Sequence, residues 1–104
     1  TLPNEDERKE IWEKSFPDRA DYGDIPRQVM RHEISGGNII NAVHFAGVQA
    51  VKKMSIGAER KELIALNGNG AHATTVQNRL VFYLEDVIEG IRREMTKEGK
   101  PFSV

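Results

Sequence analysis

The sequence predicts an all-α fold, a small bundle of about four helices, and three observations carry that expectation. Apolar residues recur at helical spacing in two long stretches, 36–55 and 84–98. Residues that start and stop helices flank four segments. No pair of alternating runs suggests paired strands. With 104 residues the chain makes one domain, spanning 1–104, with a modest core.

The first helix is predicted over "NEDERKEIWEKSF". Asn4 is its cap, because its side chain accepts from free first-turn amides, and Glu5, Asp6 and Glu7 face the positive end of the dipole. Ile11, Trp12 and Phe16 form its apolar stripe, and Pro17 stops it. "DIPRQVMRHE" is a second, short helix with Asp24 as cap, Pro26 in the first turn, and Ile25, Val29 and Met30 toward the core.

The third helix runs from about Gly36 to Met54 or Ser55. Ile39, Ala42, Val43, Ala46 and Ala50 make its core face, and its small residues admit a close neighbour. "AERKELIAL" adds a further helical turn or two, and 67–78 is a poorly ordered loop rich in helix breakers. "LVFYL" is too short to assign. The last helix, "LEDVIEGIRREMTKEG", aligns Leu84, Val87, Ile88, Ile91 and Met95, and ends at Gly99 and Pro101.

Composition narrows the function. A net charge of −1 offers no general attraction for nucleic acid or anionic lipid. No cysteine is present, so thiol catalysis, disulfides and cysteine metal sites are excluded, and a cytoplasmic location is expected. No apolar run is long enough for a membrane span. The opening "TLPNEDERKE", without an initiator Met, suggests a segment of a longer chain.

Most candidate chemistry dissolves on inspection. Gly68, Gly70 and Ala73 fit a dinucleotide-type G-x-G-x-x-A frame, with Glu85 and Asp86 downstream. A dinucleotide fold needs a strand before the frame, a helix after it, and a second strand carrying the acid; here the acids open the last helix. His32, His44 and His72 share no metal-ligand spacing, and Asp18, Asp21 and Asp24 lack calcium-loop alternation. No nucleophile motif occurs, so no catalytic residue is assigned.

Gly36 and Gly37 are different. Ser35 is a natural cap worth about 1 kcal/mol, whereas each glycine costs roughly 1 kcal/mol against alanine in a helix. Two uses fit that cost: close packing against another backbone, or bare amides that an anion or flat ring can touch.

Taken together, "ERKEIWEKSFP", "EISGGNIINAVHFAGVQA" and "EDVIEGIRREMTKEGK" resemble the C-terminal helical lid of AAA+ ATPases, in the AAA clade and its bacterial relatives. The blocks occur in the family's order and cover most of the chain outside 57–80. "SGGNI" is the most specific of them. The resemblance implies a lid that closes over the adenine side of bound ATP and couples nucleotide state to neighbouring subunits of a homo-oligomeric ring. A large α/β domain of the same chain would hold the phosphates and the magnesium ion. No G-x-x-x-x-G-K-[ST] loop occurs in these residues, so the segment alone is expected to be inactive.

The resemblance also assigns positions. Ile11 matches a residue that packs on adenine, and Gly36 and Gly37 match the glycine step lying against the nucleotide. Ser15 stands where many relatives carry histidine. Asn38 stands where other AAA+ branches place a sensor arginine, which the AAA clade lacks. Ile40 departs from a frequent arginine, and Tyr83 from a capping threonine. A free-standing helical interaction module is the alternative expectation.

Overall fold

A computed structural model of the chain describes residues 2–66 and 79–102, with side chains described for 2–56 and 79–102. Four helices follow in order: α1 (Glu5–Ser15), α2 (Ile25–Val29), α3 (Gly36–Leu66) and α4 (Leu84–Lys97). Among the described residues there is no strand, and the fold is the expected small all-α bundle. The 67–78 loop, and with it the glycine frame of Gly68 and Gly70, lies outside the described residues.

Helix ends follow the local chemistry. The Asn4 side chain accepts from the Glu7 amide at 2.8 Å, and Glu7 Oε1 accepts from the Asn4 amide at 2.9 Å, a reciprocal capping box. At the far end of α4, Gly99 adopts φ 69°, which lets its amide donate to Thr96 O and the Lys100 amide to Met95 O. That is a Schellman stop. Asp24 and Tyr83 occupy N-cap positions but make no side-chain cap bond.

α3 runs through Leu66, so the further turns expected of "AERKELIAL" continue the same helix past Ser55. The added residues, "AERKELIAL", are mostly strong helix formers, and one interior Gly57 costs only about 1 kcal/mol.

The core is the buried set Trp12 from α1 and Phe16 just after it, Ile25 and Val29 from α2, Ile34 before α3, Ile39, Ala42, Val43 and Ala46 from α3, Phe82 before α4, and Val87 and Ile91 from α4. Trp12, Ile39, Val87 and Ile91 are wholly enclosed. Leu84 departs from this pattern and stays exposed at the start of α4.

The unassigned "LVFYL" has a role here. Asp21 and Val81 form an isolated parallel bridge, in which the Asp21 amide donates to Leu80 O and the Phe82 amide to Asp21 O, both at 2.8 Å. This seats Phe82 in the core, its ring perpendicular to Phe16 at 4.9 Å, while Tyr22 stacks on Phe16 at 4.4 Å.

Among the described residues two charged side chains are buried, and both act as clamps. Arg8, 6% exposed, donates from Nε to Met30 O at 2.8 Å and from Nη1 to Pro3 O at 2.7 Å. It thereby ties α1 to the end of α2. Glu94, 5% exposed, accepts from Asn41 Nδ2 at 2.8 Å and from Lys97 Nζ at 2.6 Å. Burial pushes its pKa up, but the Lys97 and Asn41 bonds outweigh that and hold it below the ordinary carboxylate value.

Candidate functional site

The head of α3 is capped by Ser35. Its Oγ accepts from the Asn38 amide at 3.1 Å and its carbonyl from the Ile39 amide at 3.0 Å. Helix geometry leaves the amides of Gly36 and Gly37 with no partner inside the helix.

Neither glycine is required by the domain's own packing. Both have ordinary helical backbone, outside the left-handed region. A Cβ built on Gly36 would meet only Ile11 Cδ1, at 3.6 Å, an ordinary contact. One built on Gly37 would meet only Ser35 Oγ, at 3.9 Å. Among the described residues no other backbone comes close to either position. Close packing within the domain therefore does not account for the pair, although it does account for Gly90. A Cβ there would stand 2.8 Å from the carbonyl oxygen of Ala42.

Helical periodicity extends the site along both helices. Ser15 is one turn beyond Ile11 on α1, and Ile40 is one turn beyond Gly36 on α3. Ser15 and Ile40 both line an open apolar groove of about 550 Å³, continued along α3 by His44, Gly47 and Val51 and backed by Phe82. Ile40, Val48 and Val51 remain exposed along it. The Ser15 hydroxyl donates to Ile11 O at 2.6 Å.

Asn38 does not line the groove and reaches α4 instead. Its Nδ2 donates to Glu98 Oε1 at 3.2 Å, and one turn on, Asn41 reaches Glu94. Two amide-to-carboxylate bridges thus join the head of α3 to the tail of α4. With no acid in the first turn of α3, Glu98 is the carboxylate held at that helix end.

Of the residues singled out in the sequence, Ile11 and Gly36 come together, Ser15 alone of the five lines the groove, Gly37 is open, and Asn38 is engaged with Glu98. Val48 and Phe82 were not singled out, and His44 was weighed only as a metal ligand. The i, i+4 series from Gly36 through Ile40 to His44 was the signal for His44. Among the described residues, no three His, Asp or Glu side chains are grouped to hold a metal ion, and no helix is long and apolar enough to cross a membrane.

No protein-family profile matches the chain, and neither the curated proteins nor the solved structures contain a match to it.

Proposed function

We propose that this domain is the lid of a AAA+-type ATPase, covering the adenine side of bound ATP. One observation carries the reading: among the described residues nothing in the domain's packing needs the glycines opening α3, and Gly36 stands beside Ile11, one helical turn from the Ser15 and Ile40 that line an apolar groove. Two bare amides without side chains, next to an aliphatic wall, suit the face of a planar ring. The order of the "EIW", "SGGNI" and "GIRREM" blocks supports the same reading.

In this reading ATP hydrolysis belongs to the whole protein. The phosphates and magnesium are held by a large α/β domain of the same chain, and the lid passes nucleotide state to neighbouring subunits in a ring. Ile11, Gly36 and Gly37 form the adenine-side wall. Ser15 lies beside it, and Asn38, held by Glu98, shapes its edge without charge. The lid works in the cytoplasm.

The test is Gly37→Val in the full-length gene product. Nucleotide affinity and ATPase rate should both fall, while the thermal midpoint of the domain changes little, because the added side chain points into open space. Unchanged affinity and rate would overturn the assignment. A second reading, a helical module that binds another protein, is favoured by the exposed Ile40, Val48 and Val51. A gene product with no phosphate loop upstream of Thr1, and no nucleotide binding, would select it.

A further inference from the structure

We infer that the contact between His32 and Phe102 is a proton-operated latch: it holds the segment leaving α4 against the link between α2 and α3, and charging the imidazole releases that segment. This stands apart from the nucleotide reading. The Lys100 amide donates to Met95 O at 2.9 Å, which ends α4. Among the described residues no later backbone bond fastens the segment, since Pro101 has no amide hydrogen and the Phe102 amide donates to no carbonyl. Phe102 is held by its side chain, which packs against the core with its ring 5.0 Å from that of His32. A segment fastened by one ring can open locally while the rest stays folded.

His32 makes the closed form sensitive to acid. Of its two ring nitrogens, only Nε2 is buried without a partner among the described residues. A neutral imidazole tolerates this, because its single proton can sit on Nδ1 and leave Nε2 a bare lone pair. An imidazolium carries a proton on both, so an Nε2–H would be buried with no acceptor. The surrounding charges add to that cost. Arg8 of α1 and Arg31 of the link both oppose a proton on His32. Lys100 lines the same cleft of about 480 Å³ and lies 3.5 Å from Glu98, while α4 contributes only Met95 there. Glu33 is the one acid lining the cleft, and it makes no ion pair with His32 among the described residues. The face of Phe102 attracts a cation too weakly to offset an unpaired N–H beside two guanidinium groups. Opening exposes the ring to water, so the open form takes up the proton that the closed form refuses. The ratio of open to closed therefore grows as pH falls below the ordinary histidine value, by at most about tenfold per pH unit, the limit for one proton.

The experiment is an NMR titration of the protein between about pH 7.5 and 5. The His32 ring and the Lys100 and Phe102 amides should shift with one shared midpoint below the ordinary histidine value. The ring-to-ring NOE between His32 and Phe102 should vanish through that midpoint, while Ile39 and Ile91 in the core stay unchanged. Phe102→Ala, which uncovers the imidazole, should raise the His32 midpoint. His32→Phe, which keeps a ring against Phe102 but takes no proton, should remove that transition from Lys100 and Phe102. An NOE that persists with His32 charged, a tail transition that survives His32→Phe, or a His32 midpoint unmoved by Phe102→Ala would each overturn the latch. Core signals moving with the same midpoint would mean general unfolding, and would overturn it as well.

Discussion

Gly90 of α4 lies directly against the backbone of Ala42 of α3, so that a Cβ on Gly90 would stand 2.8 Å from the Ala42 carbonyl oxygen and 3.0 Å from its α-carbon. These are backbone atoms of a long helix and cannot move aside cheaply. Alanine in place of glycine normally gains about 1 kcal/mol inside a helix. Here the forced separation of two packed helices outweighs it, at about 1–3 kcal/mol for overpacking. Gly90→Ala should therefore lower the urea midpoint of the isolated chain.

Gly36→Ala should do the opposite. Its new methyl meets Ile11 Cδ1 at 3.6 Å, a contact that adds a little packing and displaces nothing. The chain then gains helix propensity, at most about 1 kcal/mol because the position is in the first turn. A raised thermal midpoint in Gly36→Ala alongside a lowered one in Gly90→Ala would separate the two glycine roles by sign. If Gly36→Ala melted lower, the packing account of that position would be wrong.

Asn41→Ala removes one of two bonds to the buried Glu94 carboxylate and leaves Lys97 to hold it alone. Hydrogen bonds to charged groups contribute about 1.5–3 kcal/mol. Chemical denaturation of Asn41→Ala should show a loss near the lower end of that range, since Asn41 itself is exposed and water replaces part of the bond.

Acid should weaken the fold through His32. Burial, then the nearby Arg31 and Arg8 cations, hold its pKa below the ordinary 6.5. Its Nε2 has no partner among the described residues, and its ring packs on Phe102 at 5.0 Å. A depressed histidine pKa means that the unfolded chain binds the proton first. Stability is therefore full above about 6.5 and declines as pH falls from there to the lower folded-state value. Equilibrium unfolding across that window should show the decline, and His32→Phe should flatten it. Equal slopes in the two proteins would remove His32 as the cause.

Much of this architecture was legible before any coordinates. Periodicity identified Ile39, Ala42, Val43, Ala46 and Ala50 as one buried face, and all five are buried. Asn4, Ser35 and Gly99 act as the end signals they resemble. Other features resisted for physical reasons. The burial of Arg8 and Glu94 was not foreseen, because a buried charge depends on partners distant in sequence: Met30 O for one, Asn41 for the other. Phe82 sits in a run too short for any period, and only the bridge to Asp21 seats it. Gly90 looks like a weak point in a helix until the Ala42 backbone is placed beside it. The glycine pair was legible as a cost, but whether the domain itself required it depended on the space around each Cα.

The two Asn–Glu bridges carry a mechanical consequence. Asn38 to Glu98 and Asn41 to Glu94 pin one end of the α3–α4 pair, and the Gly90–Ala42 contact locks its middle. Ties at two levels resist shear between the helices, the exposed Asn38–Glu98 bond being the weaker of them. Force applied at that corner would turn the α3–α4 pair as a stiff lever, with bending confined to segments outside it.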